Sequence, residues 1–261
     1  SYVAVTGPGA PGAGFLIRTT DAGASWTQLS SGTGNEIFAL DRFANGDLIA
    51  VGASGQVLTR TSGSTRWVIR SALGEADLEA VQVIGPQSVV AVGQTGIVYR
   101  SADAGASWTA GTSAPPGLTA ADLHFDSPTS GWVVGQGFSG AALFHTIDGG
   151  DHWAPAGDFE GTYAAVDFVG AHGWAAAIYG VLQRTLDGGA SWSEIALPDS
   201  QQHSTRDVDF WDASTGYVVG GSGYAARSVD GGQTWQILPT PDTTDTISDI
   251  VLFGPNEIWV S

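Results

Sequence analysis

The stretch RTLDGGASW, residues 184–192, brings together an arginine, an aspartate, two glycines and a tryptophan. Those residue types could cradle an anion on the arginine and the glycine N–H groups. They could equally supply a carboxylate for acid–base catalysis or for a metal. The stretch has relatives. RTTDAGASW (18–26), RSADAGASW (100–108), HTIDGGDHW (145–153) and RSVDGGQTW (227–235) repeat it, and RTSGSTRW (60–67) is a degenerate copy without the aspartate. The closing tryptophans Trp26, Trp67, Trp108, Trp153, Trp192 and Trp235 are spaced 41, 41, 45, 39 and 43 residues apart.

Recurrence decides between the chemistries. One active site has no use for Asp21, Asp103, Asp148, Asp187 and Asp230 at the same place in successive repeats. A structural role needs them there. A short Asp side chain accepts hydrogen bonds from the N–H groups of its own turn. The second glycine takes a positive φ at little cost, and the tryptophan folds back to bury a large ring. Each copy is therefore read as a pin closing a hairpin, and the copy that lost its aspartate as a weaker pin.

The elements that carry the pins follow the same period. A short apolar run precedes each box (GQVLTR, GIVYR, AALFHT, GVLQRT, GYAARS). Ahead of it lies a second run, often ending in Val-Gly (DLIAVG, SVVAVG, GWVVG, GWAAA, GYVVG), and ahead of that an alternating one (FALDRF, EAVQVI, AADLHF, AAVDF, RDVDF, SDIVLF). A short fourth run follows the tryptophan, and no segment has a helical period. Four short strands at a period of about 42 residues predict an all-β propeller of four-stranded antiparallel blades. Five blades are complete in the chain, and a composite blade built from both termini gives six, with seven as the alternative. The whole of residues 1–261 is expected to form a single propeller domain.

Composition narrows the function classes. The 38 glycines and 10 tryptophans suit a turn-rich β fold, and the acids are mostly Asp, a turn residue. Nine basic residues, all arginine, face 26 acids for a net charge of −17. Binding to a phosphate backbone needs clustered positive charge, so no nucleic-acid partner is expected, and anionic lipid would repel the chain. No run reaches the about 18 apolar residues of a membrane helix, so no direct membrane insertion is expected. Cysteine is absent, which excludes disulfides and thiolate sites, and methionine is absent even at the start, so removal of a signal or anchor segment is expected.

The boxes resemble Asp-box (BNR) repeats, which occur in sialidases, sortilin-type receptors, xyloglucanases and photosystem II stability/assembly factors. The resemblance covers nearly the whole chain and speaks for the fold rather than for an activity. The sialidase branch implies an arginine triad and an early Arg-Ile-Pro; FLIRTT lacks the proline, and Arg18, Arg60, Arg100, Arg184 and Arg227 all head boxes. Xyloglucanases resemble two such propellers in tandem. The photosystem branch shares F-x-D-x(3)-G-W-x-V-G followed by R-T-x-D-G-G-x-x-W, matched here by FDSPTSGWVVGQG (125–137) and FWDASTGYVVGGSG (210–223) with the boxes after them. That resemblance implies a non-enzymatic propeller outside the cytoplasm, in a periplasm or lumen and peripheral to a membrane, bound to protein subunits of a photosynthetic membrane complex. Members of that family carry an arginine-rich patch. This arginine-poor, acidic chain is expected to bind by another surface, as a resident subunit rather than a transient factor.

Candidate sites lie away from the boxes. The turns between second and third strands carry Phe138, Tyr179 and Tyr224. The connections between blades carry Arg70, Glu75, Asp77, Phe159, Glu160, His203 and Arg206. Aromatics beside charges suit a protein contact; the bland alternative is ordinary turn chemistry. The first strands place Arg42, Val83, His124, Asp167, Asp209 and Leu252 at one repeated position lining a central channel. Those groups form either a polar site with a carboxylate pair or mutually paired lining. Asp207, Asp209 and Asp212, and Asp242, Asp245 and Asp249, are clustered without the EF-hand pattern, so no metal is expected. No catalytic residue, cofactor or small-molecule ligand is expected. The alternative function is a glycosidase or carbohydrate-binding propeller of the sialidase-like class, which needs two carboxylates converging in a pocket.

Overall fold

The computed structural model describes residues 2–5, 15–19, 25, 27–70, 72–74, 76–111, 117–137, 141–157, 159, 161–199, 203–240 and 246–260. Asp21, Trp26, Glu75, Phe138, Glu160, Asp242 and Asp245 lie outside them. The chain divides into two compact units. One comprises Ser1–Pro116, Ser127–Ser130 and Ile147–His152; the other comprises Gly117–Asp126, Gly131–Thr146 and Trp153–Ser261.

The first unit holds three antiparallel sheets. They are β1 (Tyr2–Val5), β2 (Phe15–Thr19) and β3 (Thr27–Ser30); β4 (Ile37–Arg42), β5 (Leu48–Gly52), β6 (Gln56–Arg60) and β7 (Val68–Ile69); and β8 (Leu78–Val83), β9 (Val89–Gly93), β10 (Val98–Ser101) and β11 (Thr109–Ala110). The second unit holds β12 (Leu118–Phe125), β13 (Gly131–Gly137), β14 (Leu143–Thr146) and β15 (Ala154–Pro155); β16 (Tyr163–Val169), β17 (His172–Ala177), β18 (Val181–Thr185) and β19 (Ser193–Ala196); β20 (Thr205–Phe210), β21 (Gly216–Gly220), β22 (Ala225–Ser228) and β23 (Gln236–Ile237); and the pair β24 (Ile250–Gly254) and β25 (Glu257–Val260). Within each sheet, strands pair in sequence order. No helix among the described residues is long and apolar enough to cross a membrane.

Period-two alternation explains the packing. In the sheet of β4–β7, Leu48, Ala50 and Leu58 enter one core cluster with Leu16 and Trp67. Their neighbours Ile49, Val51 and Val57 enter another with Leu78, Val81 and Ala91 of the following sheet. The second unit repeats this. Trp174 and Ala176 pack with Val208, Phe210 and Val218, while Ala175 packs with Trp132, Val166 and Phe168. Second strands such as LIAVG and VVAVG are buried on both faces, which is why they read as unbroken apolar runs. The glycine closing those runs faces a bulge of the first strand. The register shifts between Ile37 and Ala39 and between Leu78 and Ala80, and a Cβ on Gly52 or Gly93 would overlap the carbonyl of Glu36 or Asp77.

Candidate functional site

The box hairpins are closed by their own residues. Ser101 Oγ donates to Asp103 Oδ1 at 2.8 Å while accepting the N–H of Gly105 at 2.8 Å. Asp103 also accepts the Ser107 N–H at 2.8 Å and the Ser107 hydroxyl at 2.5 Å. Trp108 Nε1 donates to the Gly105 carbonyl at 3.1 Å. Thr185, Asp187, Ser191 and Trp192 reproduce the set, as do Ser228, Asp230, Thr234 and Trp235. Hydroxyl and N–H donors hold the carboxyls of Asp103, Asp187 and Asp230 down at about 2. In the copy at 145–153 His152 replaces the hydroxyl residue, its N–H and Nδ1 meeting Asp148 at 2.9 and 2.7 Å. Here Trp153 lies edge-on to Phe125 at 6.2 Å. In the degenerate copy, Trp67 is still buried, with the Arg60 guanidinium 5.8 Å from its ring.

Two of the arginines heading boxes reach beyond their own hairpin. Arg100 donates to the carbonyls of Asp148 and Gly149 at 3.2 Å and pairs with Asp151. Arg227 donates to Pro255 O at 3.2 Å and Asn256 Oδ1 at 2.7 Å. These side chains act as braces, not as an open anion cradle.

The inner strands carry a second set of carboxylates. The pairing register sets Asp41, Gln82, His124, Asp167 and Asp209 opposite Ile49, Val90, Trp132, Trp174 and Tyr217, the same place in each second strand. This corrects the repeated position read from sequence. Arg42 is one residue off that level and exposed, because Arg42 pairs with Leu48 where Phe125, Phe168 and Phe210 pair with Gly131, Gly173 and Gly216, so Phe43 lies one residue further into its hairpin than the other closing aromatics. His124 Nδ1 lies 3.2 Å from Asp167 Oδ1.

These carboxylates bind backbone. Asp41 accepts the Val83 N–H at 2.6 Å. Asp122 accepts Val166 at 2.9 Å, Asp167 accepts Phe210 at 2.8 Å, Asp207 accepts Ile250 at 2.8 Å and Asp209 accepts Leu252 at 3.2 Å. Each acceptor lies on one inner strand and each donor on the next, so the aspartates form a ladder between sheets. Asp41, Asp122 and Asp207 also accept the N–H of their own following residue. Burial raises Asp122 to about 6 against the pull of those N–H groups. Burial and the charge of Asp167 raise Asp209 to about 7. Burial and Asp249 raise Asp207 well above the ordinary range, and burial raises Asp41. Sequence reasoning missed the bridging roles of Asp41, Asp122 and Asp207. The available signal was an aspartate recurring inside an otherwise apolar first strand.

The candidate contact residues divide by exposure. Tyr179 is 76% exposed in the turn before β18. Arg206 is exposed at the bulge of β20, beside that turn, because Thr205 Oγ1 donates to the Ala177 carbonyl. Tyr224 and Phe159 are buried at 4% and 8%, which corrects their reading as exposed contacts. The Tyr224 hydroxyl donates to Pro198 O at 2.8 Å, and Phe159 packs edge-on against Tyr163 and Trp192. His203 stacks on Tyr224 at 5.3 Å and is half-buried. Arg70 is bound to Thr59 Oγ1 at 3.0 Å, and Asp77 caps the turn at Ser54. Asp212 accepts the N–H groups of Ser214 and Thr215 in its own turn, apart from the ladder. No group of three or more His, Asp or Glu side chains fit for a metal occurs among the described residues.

Comparison with known proteins places this arrangement. The family described as photosynthesis system II assembly factor YCF48 matches residues 112–202. The photosystem II assembly lipoprotein Ycf48 of a Picosynechococcus species is 33% identical over 147 residues, 54% of this chain and 42% of that protein. The chain spans less than half the length of the curated relatives it matches. Among solved structures, YCF48 bound to D1 peptide superposes with a TM-score of 0.77 at 19% identity, covering 95% of this chain and 83% of that one. A GH74 xyloglucanase from Xanthomonas campestris superposes with a TM-score of 0.70 at 18% identity, covering 88% and 42%. At such identities the likenesses speak for the fold. The fold is all-β and of the propeller type, and over part of its length the chain is similar to the photosystem II assembly factors.

Proposed function

We propose that this Asp-box propeller, a relative of the photosystem II assembly factors, is a non-enzymatic binding and assembly subunit for a photosynthetic membrane complex. It docks on protein subunits of that complex from the extracytoplasmic side, in a periplasm or lumen, without entering the bilayer. Residues 1–261 act in this reading as one propeller domain, six-bladed by the count of repeats. The carrying observation is the family match over residues 112–202. The chemistry of the inner strands agrees with it. Asp41, Asp122, Asp167, Asp207 and Asp209 all hold backbone N–H groups on the first strand of the following sheet, whereas a glycosidase needs two carboxylates free to face a sugar across about 5–10 Å. Exposed Tyr179 beside Arg206 offers the aromatic and cationic pairing common in protein contacts.

Affinity purification from gently solubilised native membranes tests the reading. The expected result is recovery of photosystem subunits with the protein, and protection of the protein from protease added on the cytoplasmic side. Isolation of the protein alone, together with cleavage of aryl glycosides or xyloglucan, would overturn the proposal in favour of the glycosidase.

A further inference from the structure

The box end of the second unit carries a surface that neither the pins nor the ladder explains. Leu186 and Val229 occupy the same place in two successive boxes and are 53% and 64% exposed; Trp211, in the turn between β20 and β21, is 46% exposed. Each is followed directly by an aspartate: Asp187, Asp230 and Asp212. Local contacts set the three tips side by side. Gly231 N donates to Ser214 O at 2.8 Å, tying the later box to the Trp211 turn. Trp174 Nε1 donates to Gly231 O at 3.0 Å, tying it to the earlier sheet. Gly188 N donates to Ala171 O at 2.8 Å, fixing the earlier box. Each of these apolar side chains leaves about half or more of its surface to solvent at a hairpin tip.

The charge next to each of these apolar tips is a carboxylate. Asp187 and Asp230 are held at about 2 by their hydrogen bonds, and Asp212 is lowered by the Ser214 and Thr215 donors, so all three are anionic at neutral pH. Of the arginines heading these boxes, Arg184 has its Nε buried and its guanidinium beside Gly231, and Arg227 is bound to Pro255 and Asn256, so the three carboxylates outnumber the cations at this end.

We propose that the tips bearing Leu186, Trp211 and Val229, with Asp187, Asp212 and Asp230, dock a cationic polypeptide segment that carries aliphatic side chains between its lysines or arginines. A second copy of this chain, at net charge −17, is disfavoured by repulsion, as is anionic lipid. The surface is distinct from the Tyr179–Arg206 end, and the inference does not depend on the assembly reading above.

The test uses a short alternating lysine–leucine peptide as probe, titrated calorimetrically into the protein at low and high salt. The triple variant Leu186→Ser, Trp211→Gln, Val229→Thr keeps every carboxylate. It should bind the probe about tenfold more weakly than the parent, and high salt should weaken binding to the parent. Ile69→Ser, at an exposed apolar position on β7, should bind as the parent does. Amide chemical-shift mapping on the unmodified protein gives a readout independent of how the triple variant folds, with the largest shifts expected at 186–187, 211–212 and 229–230. Equal binding by parent and triple variant, shifts centred elsewhere, or equal binding of a glutamate–leucine peptide would overturn the proposal. So would uptake of the same face by phosphatidylcholine vesicles, which would make it a lipid contact.

Discussion

The indole N–H of Trp174 donates to the carbonyl of Gly231 at 3.0 Å. The bond joins the second strand of one sheet to the box hairpin of the next. The same ring lies stacked on Phe210, with centroids 3.4 Å apart, and is fully buried. A Cβ on Gly232, whose φ is +83°, would lie 2.6 Å from Trp174 Nε1. The box glycine thus answers two demands, a left-handed backbone and a neighbouring indole.

Trp174→Phe should therefore cost about 2–4 kcal/mol, the sum of a partly emptied core site and an unpaired carbonyl. Gly232→Ala should cost about 2–4 kcal/mol, because strain at positive φ adds to the collision. Gly188→Ala is the control. Its φ is +68° with nothing within 4 Å of the added Cβ, so only the strain of about 1 kcal/mol remains. Urea unfolding of the three variants measures the differences. Equal losses for Gly188→Ala and Gly232→Ala would remove the packing role assigned to the box glycine.

Stability should peak in mild acid. The box carboxylates are depressed to about 2, so their contribution is present above the ordinary carboxylate range and fades as pH falls towards 2. The ladder carboxylates are raised, Asp122 to about 6 and Asp209 to about 7. Their contribution is present below the ordinary range and is lost as pH rises through those values. The two limbs place the maximum at about pH 4, between the window where the box carboxylates lose their contribution and the one where the ladder carboxylates lose theirs. Thermal midpoints across pH 2–9 check the curve, and a maximum above about pH 7 would contradict the ladder assignment.

Asp122 gives the sharper test of the ladder. Asp122→Asn keeps one acceptor oxygen for two N–H donors, Leu123 and Val166, and removes the charge. It should be less stable than the parent by about 1 kcal/mol near pH 5 and should match or exceed it near pH 8. Asp122→Leu leaves both donors unpaired and should lose about 1–3 kcal/mol at either pH. Denaturant midpoints at the two pH values distinguish the variants. A constant deficit for Asp122→Asn would mean that the carboxylate does not titrate in the folded protein.

The sheets were legible in the sequence because each repeat restates the same local chemistry. Val-Gly closes a strand buried on both faces, and Asp, Gly and Trp close a hairpin within nine residues. The inner-strand level was legible only in part. His124, Asp167 and Asp209 fall together, but Arg42 does not. Phe43 lies one residue further into its hairpin than Phe125, Phe168 and Phe210 do, and a count from the closing aromatic cannot see how far the pairing runs. Exposure was least legible. Tyr179 and Tyr224 both lie in turns between second and third strands, yet Tyr224 finds a carbonyl at Pro198 and a stacking partner in His203. Those partners are set by packing between repeats, and sequence periodicity says little about it.

Exposed Tyr179 and Arg206 supply the last prediction. Tyr179→Ala and Arg206→Ala remove side chains that contribute nothing to the cores, so each variant should keep the parent's thermal midpoint within the narrow range usual for surface substitutions. If the assembly reading holds at this end of the second unit, the pair should lower recovery of membrane subunits in affinity purification, by about tenfold where the tyrosine anchors a contact. Tyr224→Phe should behave oppositely. It removes the bond to Pro198, lowering stability by about 1 kcal/mol, while leaving recovery unchanged in whatever remains folded. Measuring midpoint and recovery for all three separates a binding residue from a packing residue. Unchanged recovery for Tyr179→Ala and Arg206→Ala together would move the docking surface away from these turns.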